Sequence, residues 1–460
     1  MSEKIDYSKG IYDARQLGAG RMFILGVQHM FAMFGATVLV PLLTGLSVST
    51  TLLCAGLGTL LFHLITKKKV PAFLGSSFAY LGGFSIVAPM LADADGNLTV
   101  ANTKMLPYAC AAVAFSGLVY LVASLLISTF GIRRIMKFFP PVVTGTVVLS
   151  IGLSLISVGI NSFGGGNSAK DFGSMENLLL ALFVLVVILI FKHWTTGFLS
   201  SSAILIGILA GYVAAFVMGL VLPTTGVTAD GVEFTKAWVL NWDKVAQASW
   251  FAIPKLIPVK IVFDMRAILP VLIMFIVTAV ETVGDISGVM EGGMDREPTD
   301  KELSGGVICD GLGSTFAALF GVLPNTSFSQ NVGLVAMTKV VNRMALASGA
   351  IFLILCGLIP KLGALISIMP QAVLGGAAVM MFSSIVVSGI QLITKEKMTP
   401  RQLTIVSVAL GVGYGMGANS GILAQAPHAF QLICGESGIV PAAFVAILLN
   451  VLLPKDDKAA

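Results

Sequence analysis

"FPPVVTGTVVL" (139–149) and "SVGI" (157–160) return further along the chain as "MPQAVLGGAAVM" (369–380) and "VSGI" (387–390). Pro140/Pro370, Val143/Val373, Gly145/Gly375, Gly159/Gly389 and Ile160/Ile390 are all separated by 230 residues. Earlier in each half, "GLGT" (56–59) matches "GLGS" (311–314), and "SSFAY" (76–80) matches "TSFSQ" (326–330). The offset falls from 255 to 250 to 230, as expected if the first half carries longer loops such as "ADADGNLTVANTK" (92–104). Matches kept in the same order mark an internal repeat.

The repeated material is apolar. Of 460 residues, 56% are hydrophobic and 11% charged, with mean hydropathy +0.93. Soluble domains carry about a quarter charged residues, so the composition is that of an all-α polytopic membrane protein. Apolar windows predict spans near 22–43, 48–66, 106–130, 138–160, 177–192, 199–222, 266–291, 303–321, 342–359, 401–417 and 435–453. Residues 362–392 read as the end of one helix and all of the next, and 71–90 and 323–340 are too broken for ordinary spans. That makes about fourteen crossings, seven per half. Seven is odd, so the halves insert upside down relative to each other. Inverted repeats characterise secondary transporters, whose site lies near the midplane between them.

Lys and Arg in short loops set the orientation. "TKKK" (66–69), "RRIMK" (133–137), Lys192, "TKEK" (394–397) and the "KDDK" tail all fall on the side of the N-terminus, which is therefore expected to be cytoplasmic. Lys104, Lys170 and the long outer connection 223–262 run against the trend. The first twenty residues lack a signal peptide's apolar centre and are expected to stay cytosolic. The net charge of +5 shows no basic patch interleaved with aromatics, which argues against nucleic acid as partner. Five scattered cysteines without a CxxC pair read as buried small hydrophobes, and no His falls in a metal-ligand spacing.

"PAFLGSSFAY" (71–80) and "GVLPNTSFSQNVG" (321–333) occupy corresponding places in the two halves. Broken backbone at membrane depth is tolerated only against protein or a watery cavity. A half-helix starting there offers unpaired N–H groups and a positive dipole end, which suit carbonyl oxygens or negative charge. Phe78 and Phe328 stand at the echoed positions, and either ring could stack on a flat heterocycle or serve as ordinary packing.

"AVETVGDISGV" (279–289) sets Glu281 and Asp285 four residues apart, on one face of an apolar helix. An ionised carboxylate at a helix centre costs about 2.5–3.5 kcal/mol on insertion scales. Burial and a neighbouring acid both favour the protonated form, so such a pair can take up a proton on one side and release it on the other.

Together these stretches resemble the nucleobase–ascorbate transporter family, the uracil and xanthine permeases. "GVQHMFAMFGATVLVPLL" (26–43) is similar to the family's first helix, "VPAFLGSSFAY" (70–80) to its third, broken segment and "ETVGD" (281–285) to the acidic motif of its eighth. "QNVGLVAMT" (330–338) resembles its signature, Gln or Glu, Asn, any residue and Gly, with Thr following after four more residues. The resemblance implies about fourteen segments in two inverted seven-segment repeats. Residues 21–135 and 263–368 would form the core, or transport, domain; 136–262 and 369–454 would form the gate, or scaffold; 1–20 and 455–460 would be cytosolic tails. It also implies a homodimer through the gate and proton symport of a nucleobase into the cell by elevator-like motion. The energy source would be the proton gradient across the cytoplasmic membrane, with no cofactor or metal. Glu281 and Gln330 would hydrogen-bond the base and Phe78 would stack on it, with Ala79, Ser329, Phe328 and Phe382 nearby; His29, Asp285, Asp310 and Asn331 would form the supporting polar network.

Gln330, Asp285 and Asp310 match the xanthine branch, and Phe382 stands where the uracil branch often has Tyr. An amide donates and accepts side by side, matching an oxopurine edge, whereas a carboxylate only accepts. "GATVLVPLL", "LGSSFAY" and Lys339, which replaces the usual Gly after the signature Thr, pull the other way. Lys339 reads as interfacial. The favoured cargo is xanthine, with urate alongside and uracil as the alternative. An anion transporter of the same architecture would want cationic or neutral groups at the half-helix ends rather than Glu281 with Gln330. A channel would need a continuous polar pore. No HExxH, GxSxG, Walker loop or Cys–His signature supports an enzyme.

Overall fold

In the computed structural model the described residues are 10–12, 14–67, 69–92, 98–135, 137, 140–166, 169–196, 198–228, 231–254, 260, 262–395, 397–427, 431, 434 and 438–454. The first half runs α1 (Ala14–Leu42), α2 (Val48–Ile65), β1 (Leu74–Ser76), α3 (Ala79–Val87), β2 (Leu91–Ala92), β3 (Leu98–Val100), α4 (Leu106–Phe130), α5 (Pro141–Phe163), α6 (Met175–Trp194) and α7 (Ala203–Val221). After the hairpin β4 (Thr225–Val227)–β5 (Glu233–Thr235), the second half runs α8 (Met265–Met294), α9 (Asp300–Leu319), β6 (Asn325–Ser327), α10 (Ser329–Thr338), α11 (Arg343–Gly357), α12 (Gln371–Ile393), α13 (Pro400–Ala418) and α14 (Ile439–Leu452).

Local chemistry sets these limits. Ser47, Ser174, Asp264 and Asn342 cap α2, α6, α8 and α11 through side-chain oxygens. Thr299 with Glu302, and Thr399 with Gln402, form capping boxes at α9 and α13. Pro at the first or second position opens α4, α5 and α13, where its missing N–H has no helical partner to lose. The stretch 362–392, read as the end of one helix and all of the next, is divided in that way. A short helix, Pro360–Ser367, is bent 81° from α11 before α12 begins. Pro360 lacks the N–H that would extend α11 and restricts Ile359 before it.

Among the described residues six helices are long and apolar enough to cross a membrane, or eight if two bent pairs count as single spans. On α6 and α7, Leu179, Phe183, Val213 and Phe216 are exposed, apolar surface of the kind lipid covers. The protein is a multi-pass integral membrane protein.

The two halves meet head to tail in two places. Strands β1 and β6 pair antiparallel, Leu74 with Ser327, Gly75 with Thr326 and Ser76 with Asn325. This pairing satisfies backbone that lipid could not. Thr59 Oγ1 accepts from Leu74 N at 3.0 Å and the Pro324 carbonyl accepts from Ser77 N at 3.0 Å, extending the same accounting. A Cβ on Gly75 would lie 2.5 Å from Met33 Cε, 2.8 Å from Thr37 Oγ1 and 2.9 Å from Phe328 Cδ2, so glycine here lets α1 and Phe328 pack close to the strand. The second meeting is the seam between α5 and α12, the helices of the internal echo. Gly145 abuts Ile393 and the Gly389 carbonyl, Gly152 abuts Val386, and Gly375 abuts Phe163. Small residues let these helices approach backbone to backbone.

Around the seams lie two packed groups. In one, α2 and α1 pack on α11, α4 packs on α9, and α8 packs on α4, α3 and α10. In the other, α12 packs on α5 and α6, α6 on α7, and α13 on α14. All five cysteines are free and buried.

Candidate functional site

Where β1 and β6 end, α3 and α10 begin, pointing away from a common centre. Phe78 and Phe328 occupy the N-cap positions of these half-helices, and neither helix has a side-chain cap. No N-cap side chain therefore takes up their first N–H groups; Leu81 N and Asn331 N donate to the Phe78 and Phe328 carbonyls, each at 3.0 Å, and the positive dipole ends stand at this point. A cavity of about 200 Å³ opens at this point, lined by Phe78, Ala79, Ser327 and Phe328 on one side, Glu281 of α8, and Ile151 and Ser384 of the α5–α12 seam. That is below the about 300–1,000 Å³ of drug-sized ligand sites and suits a small molecule.

Glu281 is half-buried and Asp285, one turn on, is buried. With Thr278 and Thr282 they form a polar stripe at helical spacing along α8. Asp310 is fully buried, and its Oδ2 accepts from Thr282 Oγ1 at 2.7 Å, Ser327 N at 2.8 Å and Ser327 Oγ at 2.9 Å. One carboxylate oxygen thus fastens β6, next to Phe328, to α8, next to Glu281. His29 Nδ1 lies 3.4 Å from Asn331 Oδ1, which joins a buried polar residue of α1 to the start of α10.

The sequence-predicted residues thus fall in two layers. Phe78, Ala79, Phe328 and Glu281 line the cavity. Phe382 stands behind Phe78, edge to face with ring centroids 5.3 Å apart. Asp310, His29 and Asn331 form hydrogen-bonded supports, with Asp285 buried on the same stripe. Ser329 and Gln330 belong to the first turn of α10, and their side chains lie outside the described residues. Lys339 caps α10 in the left-handed region at φ 56°, where glycine is favoured, and its Nζ donates to Gly292 O and Asp295 Oδ1, each at 2.8 Å. It ties the ends of α10 and α8 together.

Sequence reasoning missed the wall given by α5 and α12: Val148, Ile151, Ser384, Ile385 and Ser388. Ser384 Oγ donates to Met380 O at 2.8 Å and Ser388 Oγ to Ser384 O at 3.0 Å. Each hydroxyl hydrogen is spent inside the helix, so acceptor lone pairs are left over. Ser384 and Ser388 at i, i+4 in a largely apolar helix were the available signal.

Two inverted halves, broken segments that meet, and an acid-bearing cavity at their junction define a membrane transporter rather than an enzyme. The chain belongs to the xanthine/uracil permease family, the nucleobase–ascorbate transporters: the family model, described as the permease family, matches residues 20–420. It is 34% identical over 449 residues to the uracil permease of Bacillus caldolyticus, covering 96% of this chain and 94% of the relative. Against the xanthine permease of Bacillus subtilis (strain 168) it is 31% identical over 457 residues, covering 95% and 96%. Among solved structures, the transmembrane domain of a cyanobacterium bicarbonate transporter, BicA, shares the fold with a TM-score of 0.57 at 15% identity, covering 96% of this chain and 99% of that one.

Proposed function

We propose that the protein imports an oxopurine nucleobase, xanthine and also urate, by proton symport across the cytoplasmic membrane, with both termini cytoplasmic. The observation that carries this reading is that Glu281 from one half and Phe78 from the other face a single small cavity. Glu281 accepts from the N–H groups of the base and is coupled to the proton. Phe78 stacks on the ring, braced from behind by Phe382. The uncapped first turns of α3 and α10 meet its carbonyl oxygens, with Gln330 beside them. Asp310 and Asp285 tune and position Glu281, and His29 with Asn331 holds α10 in place. The group built on α8–α11 with α1–α4 is the core that moves, elevator-like, against the group built on α5–α7 and α12–α14, through which a homodimer forms.

Purine over uracil is supported by Gln330, Asp285 and the missing hydroxyl at Phe382. Uracil is the second reading, favoured by "GATVLVPLL", by "LGSSFAY" and by the match to a uracil permease. One proton crossing 100 mV yields about 2.3 kcal/mol, enough to concentrate a neutral base roughly fifty-fold.

The test is uptake of labelled xanthine in cells lacking their own permeases, with unlabelled xanthine, urate, guanine and uracil as competitors, with and without a protonophore. Accumulation that the protonophore abolishes and xanthine competes best is expected. Preferential competition by uracil would move the assignment to the second reading. Undiminished accumulation by Glu281→Gln would end the proposed role of that carboxylate.

A further inference from the structure

Behind the cavity, hydroxyls from three helices converge. Tyr80 is the second residue of α3, Tyr120 lies midway along α4, and Thr278 sits on α8 three residues before Glu281; their exposures are 0%, 0% and 1%. Tyr120 Oη donates to Thr278 Oγ1 at 2.8 Å, and Tyr80 Oη is hydrogen-bonded to the same oxygen. The hydrogen of Thr278 goes back to the Met274 carbonyl at 3.0 Å, so both phenols act as donors and fill the threonine's two lone pairs. The phenol oxygens are 3.4 Å apart. Phe275 packs against both rings, with centroids 4.4 Å from Tyr80 and 5.5 Å from Tyr120.

The two phenols differ in what their helices carry. On α3, Tyr80 directly follows Phe78 and Ala79, which line the cavity, whereas α4 lends it no lining residue. On α8, Thr278 lies one turn from Glu281 on the same polar stripe. The Tyr80–Thr278 bond therefore spans the start of the aromatic wall and the helix of the carboxylate.

We propose that Tyr80 and Thr278 are positioning residues for the transported base. Their bond sets the separation between the Phe78 ring and the Glu281 carboxylate, while Tyr120 braces the same oxygen for stability alone. This rests on the reading of the cavity as a nucleobase site.

The test compares Tyr80→Phe, Tyr120→Phe, Thr278→Ser and Thr278→Val in uptake of labelled xanthine and labelled uracil, normalised to transporter at the cell surface. Tyr80→Phe and Thr278→Val are expected to raise KM about 3- to 10-fold, the affinity range of one buried hydrogen bond, with Vmax per transporter close to wild type. Thr278→Ser keeps the oxygen and stays within about twofold of wild type. Tyr120→Phe leaves KM unchanged and lowers only the melting temperature of the purified protein. A wild-type KM in Tyr80→Phe or Thr278→Val would overturn the inference, as would an equal rise in Tyr120→Phe, which would make the cluster merely structural. Thr278→Val reports on the same bond from the α8 side if Tyr80→Phe fails to reach the surface. A wild-type chain that takes up neither base would instead overturn the functional reading, and this inference with it.

Discussion

Asp310 offers the sharpest test of the site's construction, because three hydrogen bonds end on one of its oxygens. Thr282 Oγ1, Ser327 N and Ser327 Oγ lie at 2.7, 2.8 and 2.9 Å. A bond to a charged acceptor contributes about 1.5–3 kcal/mol net, and one to a neutral acceptor about 0.5–1.5 kcal/mol. Asp310→Asn can turn its carbonyl oxygen toward all three donors, so it loses roughly 1 kcal/mol per bond, or about 3 kcal/mol for the set. If that loss is felt wholly at the cavity, at 1.4 kcal/mol per decade KM rises on the order of 100-fold. Asp310→Ala removes the acceptor altogether and leaves the buried Ser327 N–H unsatisfied beside Phe328, so uptake is expected to be lost. The assay is initial-rate uptake of labelled base against concentration, with surface abundance measured in parallel. Asp310→Ala at wild-type abundance with a wild-type KM would refute the claim that this oxygen holds β6 and α8 in register.

The remaining predictions address other walls and supports. Ser384→Ala removes an acceptor from the α12 wall and is expected to raise KM for xanthine about 2- to 10-fold while changing uracil less, checked by uptake of each base. Gly375→Ala would place a Cβ 2.1 Å from Phe163 N at the α5–α12 seam; overpacking costs about 1–3 kcal/mol, read as a lower melting temperature in detergent. At the N-terminus of α9, the Arg296 guanidinium, with bonds of 2.8 and 2.9 Å, and then Thr299 hold the Glu302 carboxyl down at about 2. A depressed carboxylate contributes stability that is complete above its unfolded value near 4.5 and is lost as pH falls toward about 2. Glu302→Gln should therefore melt lower than wild type by a constant margin above pH 4.5, worth about 1 kcal/mol given the half-exposed arginine, with the margin closing below it.

Much of this architecture is visible in the order of residue types. The span 106–130 has the same limits in the fold, since a run of apolar residues opened by Pro107 and closed before Gly131 leaves little choice. The two broken pieces become strand plus half-helix because Pro, Gly and Asn cannot sustain a full span. Glu281 and Asp285 share a face by helical spacing alone. Other features carry no local signal. Trp238, within the outer connection read from its polar breaks, is fully buried. The bond between Tyr80 and Thr278 joins residues 198 apart in sequence.

By itself, then, the sequence determined membrane residence, the helical segments, the twofold echo and the candidate acids and rings. These depend on hydropathy, spacing and backbone chemistry within a turn or two. Only the tertiary structure decided that Leu74 pairs with Ser327, that α12 supplies a serine wall, and that Asp310 fastens two elements through one oxygen. Buried donors away from water must find acceptors, and which acceptor lies within reach is settled by how the inverted halves interlock.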